Sequence, residues 1–378
     1  MTPESILSYY PSYAILDEIF TTGQYVQANI FIDLNNNLQT LYLPQTILAL
    51  TETTKRSKYI DTSIFNSVLS FLAFHKKYFQ KRGNINVNFY FFFETGGSFY
   101  HTNISKKYKI SRKTDNLYGL DKTTRDLFFS IKQKNFLLIE KVLNTAPGCN
   151  LFKLQNFEAD FVPYYLVKNK LIKHGSNVVN VLYSNDHDML QCLNLDETFF
   201  IYSKTKTGKK VIRKGNAFKE YFKCEKSFPD EYFTLAMSII GDAGDDVDGV
   251  EGIGQKRIDL CLSKVAEMVG GMDKLRDNVM SNKPIFATPD TMDNKYIEKI
   301  VEFENKFKTI SNNMRLVDFD IISRYFMNPD STEIISKRNL LQETLNQNKI
   351  TPIEVLKPAL EMNGVALSDE LEIIYNII

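Results

Sequence analysis

The chain alternates short, almost wholly apolar runs with longer stretches in which apolar positions recur every three or four residues. YVQANIFIDL (25 to 34), NVNFYFFFETGG (86 to 97), CNLFKL (149 to 154) and NVVNVLYSND (177 to 186) are of the first kind. Their length and their β-branched and aromatic content predict buried strands. Residues 62 to 80 carry helical spacing through Ile64, Val68, Leu72 and Phe79, and another helix is expected from near Glu158 through FVPYYLVKNKLI. Strands alternating with helices of this length predict an α/β fold with a doubly wound, mainly parallel sheet.

TFFIYSKTKTGKKVIRKGNAFKEYF (198 to 222) reads as a lysine-rich hairpin with a TG turn and then a helix. From about 229 the pattern is helical to the end, interrupted by GDAGDDVDGVEGIG (241 to 254) and PIFATPDTMD (284 to 293). The organisation expected is a helical extension over 1–24, an α/β domain over 25–228, a helical domain over 229–330 and a small helical region over 331–378.

The strands end in acids. Asp33, Glu94, Glu158, Asp160, Asp186, Asp188, Asp242 and Asp245 are each expected at a strand end or just beyond one. Doubly wound sheets bind ligands outside the carboxyl ends of their strands. One such Asp is more often a turn former or helix cap than a ligand. Eight together would repel one another unless cations sit between them. Hard divalent ions take carboxylate oxygens, and two of them supply what phosphodiester hydrolysis needs. In Glu158-Ala159-Asp160 and Asp186-His187-Asp188 the spacing lets both side chains reach one ion or bridge two.

Composition changes this picture little, but distribution does. Lys and Arg total 46 against 45 Asp and Glu. From 101 to 134 there are nine basic residues, among them Lys106, Lys107, Lys109 and Arg112, against three acidic. From 203 to 226 there are again nine, including Lys204, Lys206, Lys209, Lys210, Arg213 and Lys214, against Glu220 and Glu225. Such runs are usually solvated faces and by themselves weak evidence for phosphate binding. Cys149, Cys192, Cys224 and Cys261 lack CxxC spacing, which argues against a zinc site or disulfide framework and for a reducing compartment. Neither a membrane-length apolar run nor a secretion-signal layout is evident, so a cytoplasmic protein is expected.

Four ordered motifs resemble the 5' nuclease and flap endonuclease superfamily, in the style of the phage RNase H. SNDHDMLQ (184 to 191) resembles its SGDKDMLQ segment, and NFEAD (156 to 160) its YEADD segment. ETGGSFYHTNISKKYKISR (94 to 112) is similar to DAKGKTFRDELFEHYKSHR, and GDAGDDVDGVEGIGQKR (241 to 257) to GDxSDNIPGVxGIGxKT. The likeness spans about residues 26 to 270; NNMRLVDFD (312 to 320) adds a short match.

The resemblance implies a first ion at Asp33, Glu94, Glu158, Asp160 and Asp186, and a second at Asp188, Asp242 and Asp245. Lys109 and Arg112 would steer the scissile phosphate from the base of a helical arch at about 96–135. His101, where the family has an arch Arg, would face DNA with Lys106, Lys107 and Tyr108, and Phe99, Tyr100 or Tyr108 would stack on an unpaired base. Gly249, Gly252, Gly254, Lys256 and Arg257 would form a helix-three-turn-helix gripping duplex DNA, with a potassium ion.

Mg2+ is the implied metal, with Mn2+ able to substitute. DNA or RNA/DNA carrying 5' ends or flaps is the implied substrate, and a single-strand binding protein, clamp or polymerase the implied partner of a monomer in bacterial or phage-infected cytoplasm. Glu94 for Asp, Phe161 for a second Asp of the EADD segment, and Asp246 for Asn depart from the pattern. Two rival readings are a PIN-type ribonuclease and a DNA-binding protein whose site has decayed.

Overall fold

The computed structural model describes residues 13–20, 25–37, 62–82, 85–110, 121–205, 208–222, 228–283, 306–347, 353–362 and 369–375. Arg112, Lys206 and the segment 284–293 lie outside the described residues, as do the side chains of Lys204 and Lys209.

Six strands form one sheet: β1 (Gln27–Asp33), β2 (Asn86–Thr95), β3 (Cys149–Gln155), β4 (Val178–Tyr183), β5 (Phe199–Thr205) and β6 (Gly208–Ile212), in the order β3-β2-β1-β4-β5-β6. The first five are parallel, and β6 returns antiparallel to β5 as the lysine-rich hairpin. Every residue of β1 and β4 is buried, as expected for central parallel strands covered on both faces.

The aromatic run of β2 is resolved by its period of two. Tyr90 and Phe92 enter one core with Phe31 of β1, whereas Phe89, Phe91 and Phe93 enter the other with Ile30 and Ile32. The first core joins the sheet to helices Val162–Lys168, Phe233–Ile240, Ile258–Val269, Phe307–Val317 and Phe319–Phe326. The second is covered by Tyr13–Phe20, Ser63–Arg82, Lys122–Thr145 and Asp369–Tyr375. No described helix is long and apolar enough to cross a membrane.

Two expectations about elements change. The helix expected from Glu158 begins only at Val162, with Pro163 in its first turn, where the missing N–H costs nothing. That leaves Glu158 and Asp160 in the loop after β3. Asp242 and Asp245 do not follow a strand: they leave the C-terminal end of helix Phe233–Ile240, and only a bridge between Asp242 and Val247 is strand-like.

Candidate metal centre and nucleic-acid interface

In this strand order the chain turns outward from β1 in both directions, so the crevice at the C-terminal ends of β1 and β4 is the topological switch point. Asp33 is the last residue of β1, and Asp186 and Asp188 follow β4 directly. Glu94 closes β2 beside them, with Glu158 and Asp160 just past β3.

Local geometry holds several of these acids. Asp186 Oδ1 accepts from Asp188 N at 3.0 Å, and Asp242 Oδ1 from Gly244 N at 2.7 Å. Each therefore caps a turn with one oxygen, as isolated acids after an element usually do. Asp246 takes the left-handed conformation, φ 56°, which Asn and Asp tolerate better than most residues; this accounts for an Asp where the resemblance has Asn.

Their electrostatics set them apart from ordinary caps. Burial, and then Glu158, push the Asp160 carboxyl up to about 7. Burial, and then Asp186, Asp245, Asp242 and Asp160, hold Asp188 well above the usual carboxylate range. Glu94 is raised by burial and then by Asp160, and Glu158 by burial against the opposing pull of Lys109. Acids that raise one another in this way share one electrostatic environment. Asp160 Oδ1 is buried with no hydrogen-bond partner, a costly state for a carboxylate oxygen.

Buried, mutually repelling oxygen donors with one orphaned oxygen fit a divalent ion of the Mg2+ kind. Among the described residues, however, no three His, Cys, Asp or Glu side chains stand close enough to form a finished cage. Lys109 and Tyr108 are wedged among the acids. The Lys109 Nζ donates to Glu158 Oε1 at 2.6 Å and lies 3.6 Å from Asp245 Oδ2. The Tyr108 hydroxyl is 3.0 Å from Glu158 Oε2 and 3.2 Å from Asp245 Oδ2.

The sequence reading of the aromatic residues is corrected here. Tyr108 is only 6% exposed, Tyr100 is buried with its hydroxyl donating to Arg315 O, and half-buried Phe99 packs on Phe157. None of the three presents an open face to an unpaired base in this arrangement. His101 is fully buried too, its pKa lowered to about 3 by burial and then by Lys109. The neutral ring donates from Nε2 to Leu316 O at 3.0 Å and accepts at Nδ1 from Ser98 Oγ at 2.7 Å. It anchors helix Phe99–Ile104 to helix Phe307–Val317 instead of facing DNA.

Phe161 is explained as well. It is buried among Phe157, Tyr165 and Phe326, so this position joins the sheet to the helical half and does not enlarge the acid cluster.

Lys106 and Lys107 are exposed beside Tyr108, as are Gly252, Gly254, Lys256 and Arg257 on the loop preceding helix Ile258–Val269. Gly252 has φ 77°. Gly249 has an internal reason to be glycine: a Cβ there would lie 1.8 Å from Ile240 O. In the second basic segment Lys210 pairs with Glu220, Arg213 with Glu18 and Lys214 with Glu197, so part of that charge is spent internally.

Sequence reasoning missed one contributor. Tyr221 packs against His187 with ring centroids 4.8 Å apart and hydrogen-bonds Gln255, linking the acids to the glycine loop. No local signal marks Tyr221, since it arrives through long-range packing.

No protein-family model matches the sequence, and no curated protein matches it. Solved structures do match in fold. The bacteriophage T5 D15 protein co-crystallised with metal ions aligns with a TM-score of 0.57 at 18% identity, over 84% of this chain and 99% of that one. The T5 D15 flap endonuclease in a pseudo-enzyme-product complex with DNA and metal ions aligns with a TM-score of 0.57 at 17% identity, over 85% and 100%. T5 5'-exonuclease with bound zinc aligns with the same TM-score, over 84% and 100% of the two chains at 17% identity. The chain thus has the fold of these 5' nucleases.

Proposed function

We propose that this chain is a divalent-metal-dependent 5' nuclease that hydrolyses phosphodiesters near a single-strand to double-strand junction, removing RNA primers or 5' flaps. The observation that carries this reading is the acid cluster at the switch point, with Asp160 Oδ1 buried and unpartnered and the Asp160 and Asp188 carboxyls raised by burial and then by neighbouring carboxylates. The T5 D15 protein of similar fold was crystallised with DNA and metal ions, which supports the same class of ligand here.

Asp33, Glu94, Glu158, Asp160 and Asp186 would hold one ion, and Asp188, Asp242 and Asp245 a second. Bound Mg2+, or Mn2+ in its place, would supply an activated water and neutralise charge on the leaving oxygen. Lys109 stands in the cluster and is suited to stabilise charge developing on the scissile phosphate; Arg112 is assigned the same task from the sequence alone. The exposed loop with Gly252, Gly254, Lys256 and Arg257 presents backbone N–H groups and positive charge to a duplex backbone, with Gly249 letting it pack closely and a K+ ion as its proposed companion.

The test is cleavage of 5'-labelled flap, nicked and RNA/DNA substrates in Mg2+. The native chain is expected to release short 5' products from at least one of these, and Asp186→Ala to release none. A native chain that binds such substrates without cutting them in Mg2+ or Mn2+ would favour the decayed site. Cleavage confined to single-stranded RNA would favour the PIN-type ribonuclease.

A further inference from the structure

The ammonium of Lys109 lies where a cation is most needed. It touches Glu158 in the loop after β3 and approaches Asp245, which comes from the helical half of the chain. The Tyr108 hydroxyl spans the same two carboxylates. The backbone fixes this placement: Lys109 has φ 53°, and its N–H donates to Asp245 O at 3.0 Å. A lysine is rare in the left-handed region and needs surrounding contacts to stay there. Here those contacts aim its side chain into the acids.

We infer that Lys109 is the internal counter-ion of the metal-free site, occupying Glu158 and Asp245 until divalent ions displace its side chain. This rests on the nuclease reading and adds an order of events to it. The contact of 2.6 Å places the ammonium at Glu158 Oε1, so an ion entering there must evict it or accept fewer ligands. Its four-carbon stem permits that move by rotamer changes alone, with the backbone held at Asp245. The evicted ammonium becomes available to a substrate phosphate, so metal loading and the readiness of Lys109 are linked.

The test is Mn2+ binding to the full chain without DNA, followed by electron paramagnetic resonance and calorimetry. Lys109→Met and, as a second neutral replacement, Lys109→Gln remove the competing charge. Each is expected to bind Mn2+ about ten-fold tighter than the native chain, the scale of one charge-assisted hydrogen bond. Lys109→Arg retains the charge and is expected to stay within about three-fold of native. Circular dichroism in saturating Mn2+ verifies that each variant is folded. Equal or weaker Mn2+ binding by the folded neutral variants, with the native chain binding and cleaving normally, overturns the counter-ion role alone. Absence of Mn2+ binding by the native chain overturns the nuclease reading and this inference together.

Discussion

The Tyr108 hydroxyl lies 3.2 Å from Asp245 Oδ2 while also reaching Glu158, so one proton is shared between a carboxylate of the loop after β3 and one of the helical half. Tyr108 also stacks on His101, with ring centroids 4.7 Å apart, and His101 is bound to Leu316 O. The two halves of the site are therefore joined through Tyr108 and His101. Removing the hydroxyl with Tyr108→Phe leaves two carboxylates facing each other without that proton. The expected loss is about 1–3 kcal/mol in the metal-free protein, and less with Mg2+ present. Urea denaturation in EDTA and in Mg2+ measures both; equal losses in the two conditions would argue against a shared role with the ions.

Falling pH should cost stability at a buried histidine of the second core. His75 is fully buried; its neutral ring donates to Phe71 O and accepts from the Tyr183 hydroxyl. Burial lowers its pKa from 6.5 to about 4. The unfolded chain therefore binds a proton that the folded chain refuses. The stability from neutral His75 is complete above pH 6.5 and is lost as pH falls towards 4, with a slope of up to about 1.4 kcal/mol per pH unit. On acidification across this window the melting temperature of His75→Gln should fall less, or rise more, than that of the native chain, the raised carboxylates being common to both; parallel curves would contradict the assignment.

The C-terminal helix Asp369–Tyr375 is expected to serve stability, not chemistry. Buried Lys76 donates to Ile374 O at 2.6 Å and to Pro147 O at 3.1 Å, while Leu371 and Ile374 are fully buried in the second core. Deleting residues 369–378 should cost on the order of 3–6 kcal/mol from the two aliphatic side chains alone, read as a lowered urea midpoint. Cleavage below the melting transition should persist. Loss of cleavage by a chain still folded would assign this helix a part in the site.

Salt dependence separates the two kinds of basic residue. Lys256 and Arg257 are exposed at the glycine loop, whereas Lys210 is paired with Glu220. Lys256→Ala should weaken duplex binding and reduce the slope of log K against log salt by about 0.9, the value of one phosphate contact. Lys210→Ala should leave the slope nearly unchanged. The reverse pattern, read by fluorescence anisotropy in Ca2+, would move the DNA path to the hairpin.

Apolar runs ending in acids made β1, β2 and β4 readable, because a strand buried on both faces must be apolar throughout and its polar end marks the sheet's rim. The alternating rings of β2 and their two cores follow from the same period. What stayed hidden depends on contacts distant in sequence. Nothing local shows that Tyr108 turns inward to Glu158 and Asp245, that His101 is neutral against Leu316, or that Phe161 faces Phe326. The pattern predicts a strand end for Asp242 and Asp245, yet they leave a helix end, and their place beside Asp188 follows from contacts distant in sequence.

Metal-dependent hydrolysis by this cluster is tested most directly by the single-turnover rate of junction cleavage in Mg2+ for the native chain and Asp188→Asn, with binding of the same substrate measured separately in Ca2+. The native chain is expected to show a Mg2+-dependent rate, the variant a loss of at least about 10²-fold, comparable to removing one charge-stabilising group, and both similar binding. Undiminished cleavage by Asp188→Asn, or binding without any cleavage by the native chain, would contradict it.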